Sequence, residues 1–345
     1  MIHWIDSLSE NHTLPKNIYR RLLLTEEQPV VDYLRDKAQQ VTERNFGRNI
    51  YIRGLIEITN RCRNNCYYCG IRCSNREVER YALDRETILD CCRDGYRLGF
   101  RTFVLQGGED PSMSDEWIVD CVAAIRREFA DCAITLSLGE RSRELYERLF
   151  EAGADRYLLR HETRNAEHYG LLHPQSMSLE NRLQCLDWLK EIGFQTGTGI
   201  MVGSPYQTVD HIVEDLQYIE QLQPEMIGIG PFIPHHATPF ANKSGGEIEM
   251  TLRLISILRL ISPTALIPST TALATLSEDG RERGILAGAN VVMPNLSPSI
   301  NRVSYSLYDN KASFGSEAAE GLALLEELLN RIGYKISYDR GDYPR

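Results

Sequence analysis

The stretch YIRGLIEIT, residues 51–59, decides the fold. It is rich in β-branched residues and alternates: Arg53, Glu57 and Thr59 share one face, Ile52, Ile56 and Ile58 the other. That is the period of a strand. Further runs of the same kind follow: TFVLQ (102–106), AITLSL (133–138), RYLLRH (156–161), QTGTGIMV (195–202), MIGIG (226–230), LIPST (266–270) and NVVMP (290–294). Segments of helical period separate them, such as DRETILDCCRDGYRLGF, SDEWIVDCVAAIRREF and TVDHIVEDLQYIEQL. Eight strands alternating with helices predict an α/β fold, a complete (β/α)8 TIM-type barrel rather than an open doubly wound sheet. The expected organisation is an N-terminal helical extension over 1–50, the barrel over 51–310, and a C-terminal helix and tail over 311–345.

The alternation carries a second message. Parallel strands buried on both faces usually read as continuous Val, Ile and Leu. Here Arg156, Leu158, Arg160 and Glu162 share one face, and Thr135 and Ser137 oppose Ile134, Leu136 and Leu138. The apolar face must meet the helices, so the polar face points inward. An unpaired charge in a dry interior costs several kcal/mol, on the order of 3–5. The interior is therefore expected to hold water or a ligand. Internal ion pairs, Arg160 with Glu162 or Arg53 with Glu57, are the plainer alternative.

The 345 residues carry a net charge of −10 and are 42% hydrophobic, a globular composition. The acidic balance argues against a general nucleic-acid or membrane-surface binder, and is compatible with a small anion held by a few arginines. The start, MIHWIDSLSENHTLPKN, lacks the basic and apolar regions of a signal peptide. No apolar run is long enough to span a membrane. Nine cysteines without a disulfide-framework spacing point to a reducing, cytoplasmic location.

Directly after the first strand comes CRNNCYYC, with Cys62, Cys66 and Cys69. Barrel active sites form at this end of the strands. Closely spaced loop cysteines suit a thiolate metal site. A structural zinc site needs four ligands, usually as two pairs, and no second pair is present. Cys73 is the one nearby candidate for a fourth ligand, in a run too compact to suit it.

CxxxCxxC resembles the signature of radical S-adenosylmethionine (SAM) enzymes. The resemblance implies one 4Fe-4S cluster held by Cys62, Cys66 and Cys69, with SAM on the fourth iron. It implies cleavage of SAM to methionine and a 5′-deoxyadenosyl radical. Tyr68 matches the aromatic that packs on adenine. QGGED places Gly107, Gly108 and Glu109 where the superfamily contacts the SAM ammonium. Glu162 and Arg182 match positions holding the ribose or the SAM carboxylate, and Met201, in GTGIMVG, matches a residue beside SAM.

From about residue 45 to about residue 308 the chain further resembles the FeFe-hydrogenase maturase HydE family. The carrying segments include RCRNNCYYCGIR, VLQGGEDP, TLSLGE, GADRYLLRHET, GIGPFIPHHATPF, PSTTALATL and GANVVMPN. This implies a radical SAM enzyme acting on a cysteine-bearing iron carbonyl and cyanide precursor during H-cluster assembly. Thr135, Arg160, Met226, Thr270, Thr271, Met293 and Tyr305 match positions lining the substrate or anion region. The implied partners are a reductant protein and other hydrogenase maturation proteins. No cysteine follows Cys185, so a second cluster is not expected.

The alternatives are an amino-acid carbon-skeleton rearrangement of the methylornithine-synthase kind, a biotin-synthase-like sulfur insertion, and a non-catalytic cluster carrier. His235 and His236 are expected at a loop or substrate edge, since neighbours in extended chain point apart. Cys91, Cys92, Cys121 and Cys185 read as buried helix residues, and Cys132 as the start of a strand away from the mouth.

Overall fold

The computed structural model describes residues 1–312 and 318–344. Three helices come first: α1 (Ile2–Asn11), α2 (Lys16–Leu24) and α3 (Gln28–Phe46). In α3, Val30, Leu34, Ala38 and Val41 recur at three- and four-residue steps and are buried. They join Ile5, Leu8 and Leu22 in a core shared with Ile255 and Leu258 of the helix Ile248–Ile261. The extension thus packs on the flank of the main unit.

Among the described residues eleven strands follow: β1 (Asn49–Ile52), β2 (Gly54–Thr59), β3 (Thr102–Gly107), β4 (Ala133–Ser137), β5 (Arg156–Leu158), β6 (Gln195–Thr198), β7 (Met201–Val202), β8 (Met226–Ile227), β9 (Gly230–Pro231), β10 (Val291–Val292) and β11 (Lys335–Ser337). The order β2-β3-β4-β5-β6-β8 forms one continuous parallel sheet. The expected eight-stranded ladder is not continuous. LIPST forms no strand; single parallel bridges join Met226 to Leu266 and Pro268 to Val291, β10 then pairs in parallel with β1 (Val291 with Tyr51, Val292 with Ile52), and Asn295 bridges to Leu55. The result is an α/β, TIM-barrel-like arrangement of parallel strands.

The helices start where the sequence gives the backbone an acceptor. Asp84, Ser114, Ser142, Asn165, Ser178 and Thr208 each accept a hydrogen bond from a main-chain N–H three residues on. Caps of this type contribute about 1 kcal/mol each. The main core lies between strands and helices, with Ile56, Phe103, Ile134 and Tyr157 among its members. Leu322, Leu325, Leu328 and Leu329 of the last helix, Ala318–Arg331, join it. So do Cys91, Cys92, Cys121, Cys132 and Cys185, as small apolar residues.

Beyond that helix the chain does something the strand pattern did not foretell. β11 pairs in parallel with β1, and the last residues cross the foot of the strands. Arg156, fully buried, donates to the carbonyls of Arg340 (2.9 Å) and Gly341 (3.1 Å) and to the Asp342 carboxylate (2.7 Å). Thr102 donates to the Arg340 carbonyl, and Tyr343 N–H to Gln195. The tail closes the lower end of the interior.

Burial pushes the Asp342 carboxyl up, but hydrogen bonding to Arg156 and then Arg340 outweighs it and brings the pKa from 3.8 to about 2. A depressed carboxyl pKa adds stability above its unfolded value, and that stability is lost as pH falls through the folded value. Asp342→Asn is therefore expected to unfold at lower urea than the parent at pH 7. The gap should narrow below about pH 4 and vanish near pH 2. Urea midpoints across that range test this, and a gap independent of pH would mean the ion pair contributes nothing.

Candidate functional site

The loop after β2 is long and lacks regular structure, yet two polar side chains knit it. Asn60 donates to the carbonyls of Glu79 and Ser304, both at 2.7 Å, and accepts from Tyr81 N–H. Arg80 donates to the carbonyls of Asn60, Ile71, Arg72 and Asn75. Neither stood out in the sequence, because a carbonyl-capping arginine has no spacing signature.

This loop carries the three cysteines at the strands' C-terminal ends, half-buried and unpaired by disulfides. Burial pushes all three thiols up, Cys69 to about 12. Three half-buried thiols in one loop are the soft donors that an iron–sulfur cluster takes. Cys73 is exposed, with its N–H on the Asn64 carbonyl.

Gly108 meets this loop from β3. Its N–H donates to the Thr59 carbonyl, and a Cβ there would overlap the Arg61 carbonyl and stand 2.7 Å from the Cys62 Cβ. A Cβ on Gly107 would stand 2.9 Å from the Thr59 methyl. These glycines are required by close approach. Glu109, buried, is already engaged: its carboxylate accepts from Arg63 (2.9 Å) and Glu140 N–H (2.9 Å).

Around the mouth stand the other residues expected from the sequence. Glu162 holds a left-handed backbone (φ 64°), uncommon for a side-chain-bearing residue and typical of functional positions. Arg160 grips its carboxylate at two points, 3.0 and 2.7 Å. Burial pushes the Glu162 carboxyl up, but Arg160 and then Arg182 hold it below the usual carboxylate range. Arg182 donates to the Arg160 carbonyl (2.6 Å) and to Glu140 (2.5 Å). Tyr68 and Met201, far apart in sequence, share one apolar cluster with Leu172, Phe232 and Phe240. The Tyr68 hydroxyl lies 3.1 Å from His173 Nε2, and His173 stacks on Tyr169 at 4.0 Å. Burial, then Arg182, pushes the His173 pKa down to about 4, so it is neutral near pH 7.

The expected interior residues divide. Thr271, Met293 and Tyr305 line one cavity of about 350 Å³ beside Lys311. Thr135, Arg160, Met226 and Thr270 are not among its walls. The hydroxyls of Thr135 and Thr270 are buried without a partner. Met226 sits lower, its sulfur 3.1 Å from Arg53 Nη1. Of the two ion pairs considered, Arg160–Glu162 forms and Arg53–Glu57 does not. Glu57 instead takes Lys311 and Asn295 (2.9 Å), whereas Arg53 leaves Nε and Nη2 unpartnered although buried. Lys311 lies in a strap, residues 304–312, held by Asn60 on the Ser304 carbonyl and Gly70 N–H on the Leu307 carbonyl.

A sequence profile of the Radical SAM superfamily matches residues 56–219. The chain is 40% identical over 336 residues to the FeFe hydrogenase maturase subunit HydE of Thermotoga maritima, covering 97% of this chain and 96% of that protein. It is 29% identical over 289 residues to a 3-methylornithine synthase of Methanosarcina acetivorans, covering 83% and 81%. A crystal structure of methylornithine synthase (PylB) superposes with a TM-score of 0.85 at 26% identity, covering 96% of this chain and 97% of that one.

Gly108→Ala is expected to keep the fold and displace Cys62. Anaerobic reconstitution should leave it well below the iron content of the parent, while its circular dichroism matches. Equal iron in both proteins would show that the close approach is dispensable.

Proposed function

We infer the function from one premise: this chain belongs to the radical SAM superfamily and, within it, to the family of the FeFe-hydrogenase maturase subunit HydE. It is a radical SAM enzyme of hydrogenase maturation. We propose that Cys62, Cys66 and Cys69 ligate one 4Fe-4S cluster and that SAM takes the remaining ligand position. Given one electron from a reductant, these groups would yield methionine and a 5′-deoxyadenosyl radical, while the protein binds, orients and shields.

The chain's own residues divide that work by position. Tyr68 and Met201, from one apolar cluster, offer a dry surface to adenine. Glu162, kept ionised by Arg160 and Arg182, suits the ribose hydroxyls. Gly107 and Gly108 allow the backbone of β3 close to the methionine end, and Glu109 brings a carboxylate to the ammonium. In this reading the single bridges close the strands into a barrel, and the tail on Arg156 stops its foot. Closure matters because a primary carbon radical abstracts hydrogen from whatever it meets.

The proposed substrate is a mononuclear iron species with cysteine, carbonyl and cyanide ligands, held among Thr135, Arg160, Met226, Thr270, Thr271, Met293 and Tyr305. The observation that carries this is the set of buried groups without protein partners: the hydroxyls of Thr135 and Thr270 and Nε and Nη2 of Arg53. Interior donors left open in this region suit a polar or anionic occupant. A reductant protein and other maturation proteins are the proposed partners, in the cytoplasm. Among the described residues, no helix is long and apolar enough to cross a membrane.

Cys66→Ala is expected to lose both the cluster and formation of 5′-deoxyadenosine. Thr135→Val and Thr270→Val remove hydroxyls that bond nothing in the protein, so thermal stability should hold or rise. Substrate turnover in each should fall about tenfold, the worth of one hydrogen bond. Undiminished turnover in both would remove the substrate from this region. The deciding assay adds SAM, dithionite and an iron–cysteine carbonyl–cyanide complex to the reconstituted protein and reads 5′-deoxyadenosine and paramagnetic adducts. Buried Glu57 beside the cavity would suit an amino-acid ammonium. SAM cleavage stimulated by lysine and indifferent to the iron complex would therefore favour a carbon-skeleton rearrangement.

A further inference from the structure

His235 and His236 do not point apart as extended neighbours would. Their rings stack at 4.3 Å, tilted by 23°, and both face Asp309. His236 Nδ1 lies 2.7 Å from Asp309 Oδ1, and His235 Nε2 lies 3.8 Å from the same oxygen. The three ligand atoms fall within 4.8 Å of one another. Glu77 Oε2 stands 3.2 Å from His236 Nε2. These residues come from three separate segments: the loop after the cysteines, the loop after β9, and the strap.

We propose that His235 Nε2, His236 Nδ1 and Asp309 form a mononuclear site for a divalent transition cation of the zinc or ferrous class, distinct from the cysteine loop. Two imidazoles and a carboxylate are the donors such ions take, at about 2.0–2.2 Å, which sets ligand atoms about 3.3 Å apart in a tetrahedron. The present separations, 2.7 and 3.8 Å, bracket that value. The rings are stacked, so the exposed His236 ring must turn for its in-plane lone pair to meet that of His235 on one ion. With Nδ1 on the metal, His236 must carry its proton on Nε2, where Glu77 accepts it, the carboxylate–histidine–metal arrangement. Asp309 Oδ2 accepts the His236 N–H at 2.8 Å, which holds the carboxylate in place. His235 is 4% exposed, so its ring is fixed rather than free to wander.

Without a metal, two carboxylates flank one imidazole. Site formation gives up one bond. His235 Nδ1 now accepts from Ala237 N–H (3.1 Å), and metal at Nε2 returns the ring proton to Nδ1. Occupancy would clamp the strap that carries Tyr305 and Lys311 to the loop after β9, where Asp309 N–H already donates to the Pro234 carbonyl.

The test uses the cluster-loaded full chain and Zn2+ alone. After equilibration with Zn2+ and desalting, the parent should retain one zinc per chain with its iron content unchanged. The zinc-edge X-ray absorption should show nitrogen and oxygen neighbours with imidazole outer shells. His236→Ala and Asp309→Asn should each lower the affinity at least tenfold while keeping the iron. No retained zinc in the parent would overturn the proposal and leave a proton-bridged clamp. So would sulfur neighbours at the zinc edge, or equal retention by variants that still carry full iron. The assay reads neither SAM cleavage nor turnover, so its failure leaves the functional reading standing, and the reverse also holds.

Discussion

Arg156 is fully buried at the foot of the parallel strands, and the groups that satisfy its guanidinium come largely from the last residues of the chain. A buried cation without a partner is too costly to keep, so the tail must return across the strands. The same constraint shapes the rest of the interior. Glu57 draws in Lys311 and with it the strap over the cavity. Glu162 takes Arg160, and Glu140 takes Arg182, which sets the mouth. Arg156 and Glu57 thus each recruit a distant segment, the tail and the strap. Arg53 is the exception, buried with two nitrogens unpartnered.

The mouth depends on rigidity of a different origin. The cysteine loop has no ladder to hold it, so Asn60 and Arg80 replace the missing main-chain partners with side-chain bonds. Gly70 and Gly108 let neighbouring segments approach closer than any side chain would permit. The strap is tied to this loop through Gly70 and Asn60, and to the loop after β9 through Asp309. Geometry at the cysteines and closure over the cavity are therefore coupled through shared hydrogen bonds.

A radical SAM enzyme of hydrogenase maturation needs both features. The reactive carbon must meet its substrate and little else, so the protein's contribution is enclosure and orientation. Strand charges that recruit closing segments provide the first, and the knitted loop provides the second. The hydroxyls of Thr135 and Thr270, buried without a protein partner, are consistent with the polar ligand proposed above.

The cysteine spacing, the glycines after β3 and the period-two polarity of the strands were legible because each is a local pattern with a local cause. Alternation follows from the pleat, cap residues from orphaned N–H groups, and a thiolate site from three closely spaced loop cysteines. The sequence by itself therefore determined the α/β class, the family to which the cysteine motif belongs and the existence of inward charges. It did not determine which partner each charge would take. Glu57 lies four residues from Arg53 yet pairs with Lys311, and Arg156 pairs with Asp342. It placed His235 and His236 apart, although Asp309 brings them together. Those choices belong to the tertiary structure alone, because electrostatic pairing depends on distance in space, and the partners meet only after the strands have brought remote segments side by side.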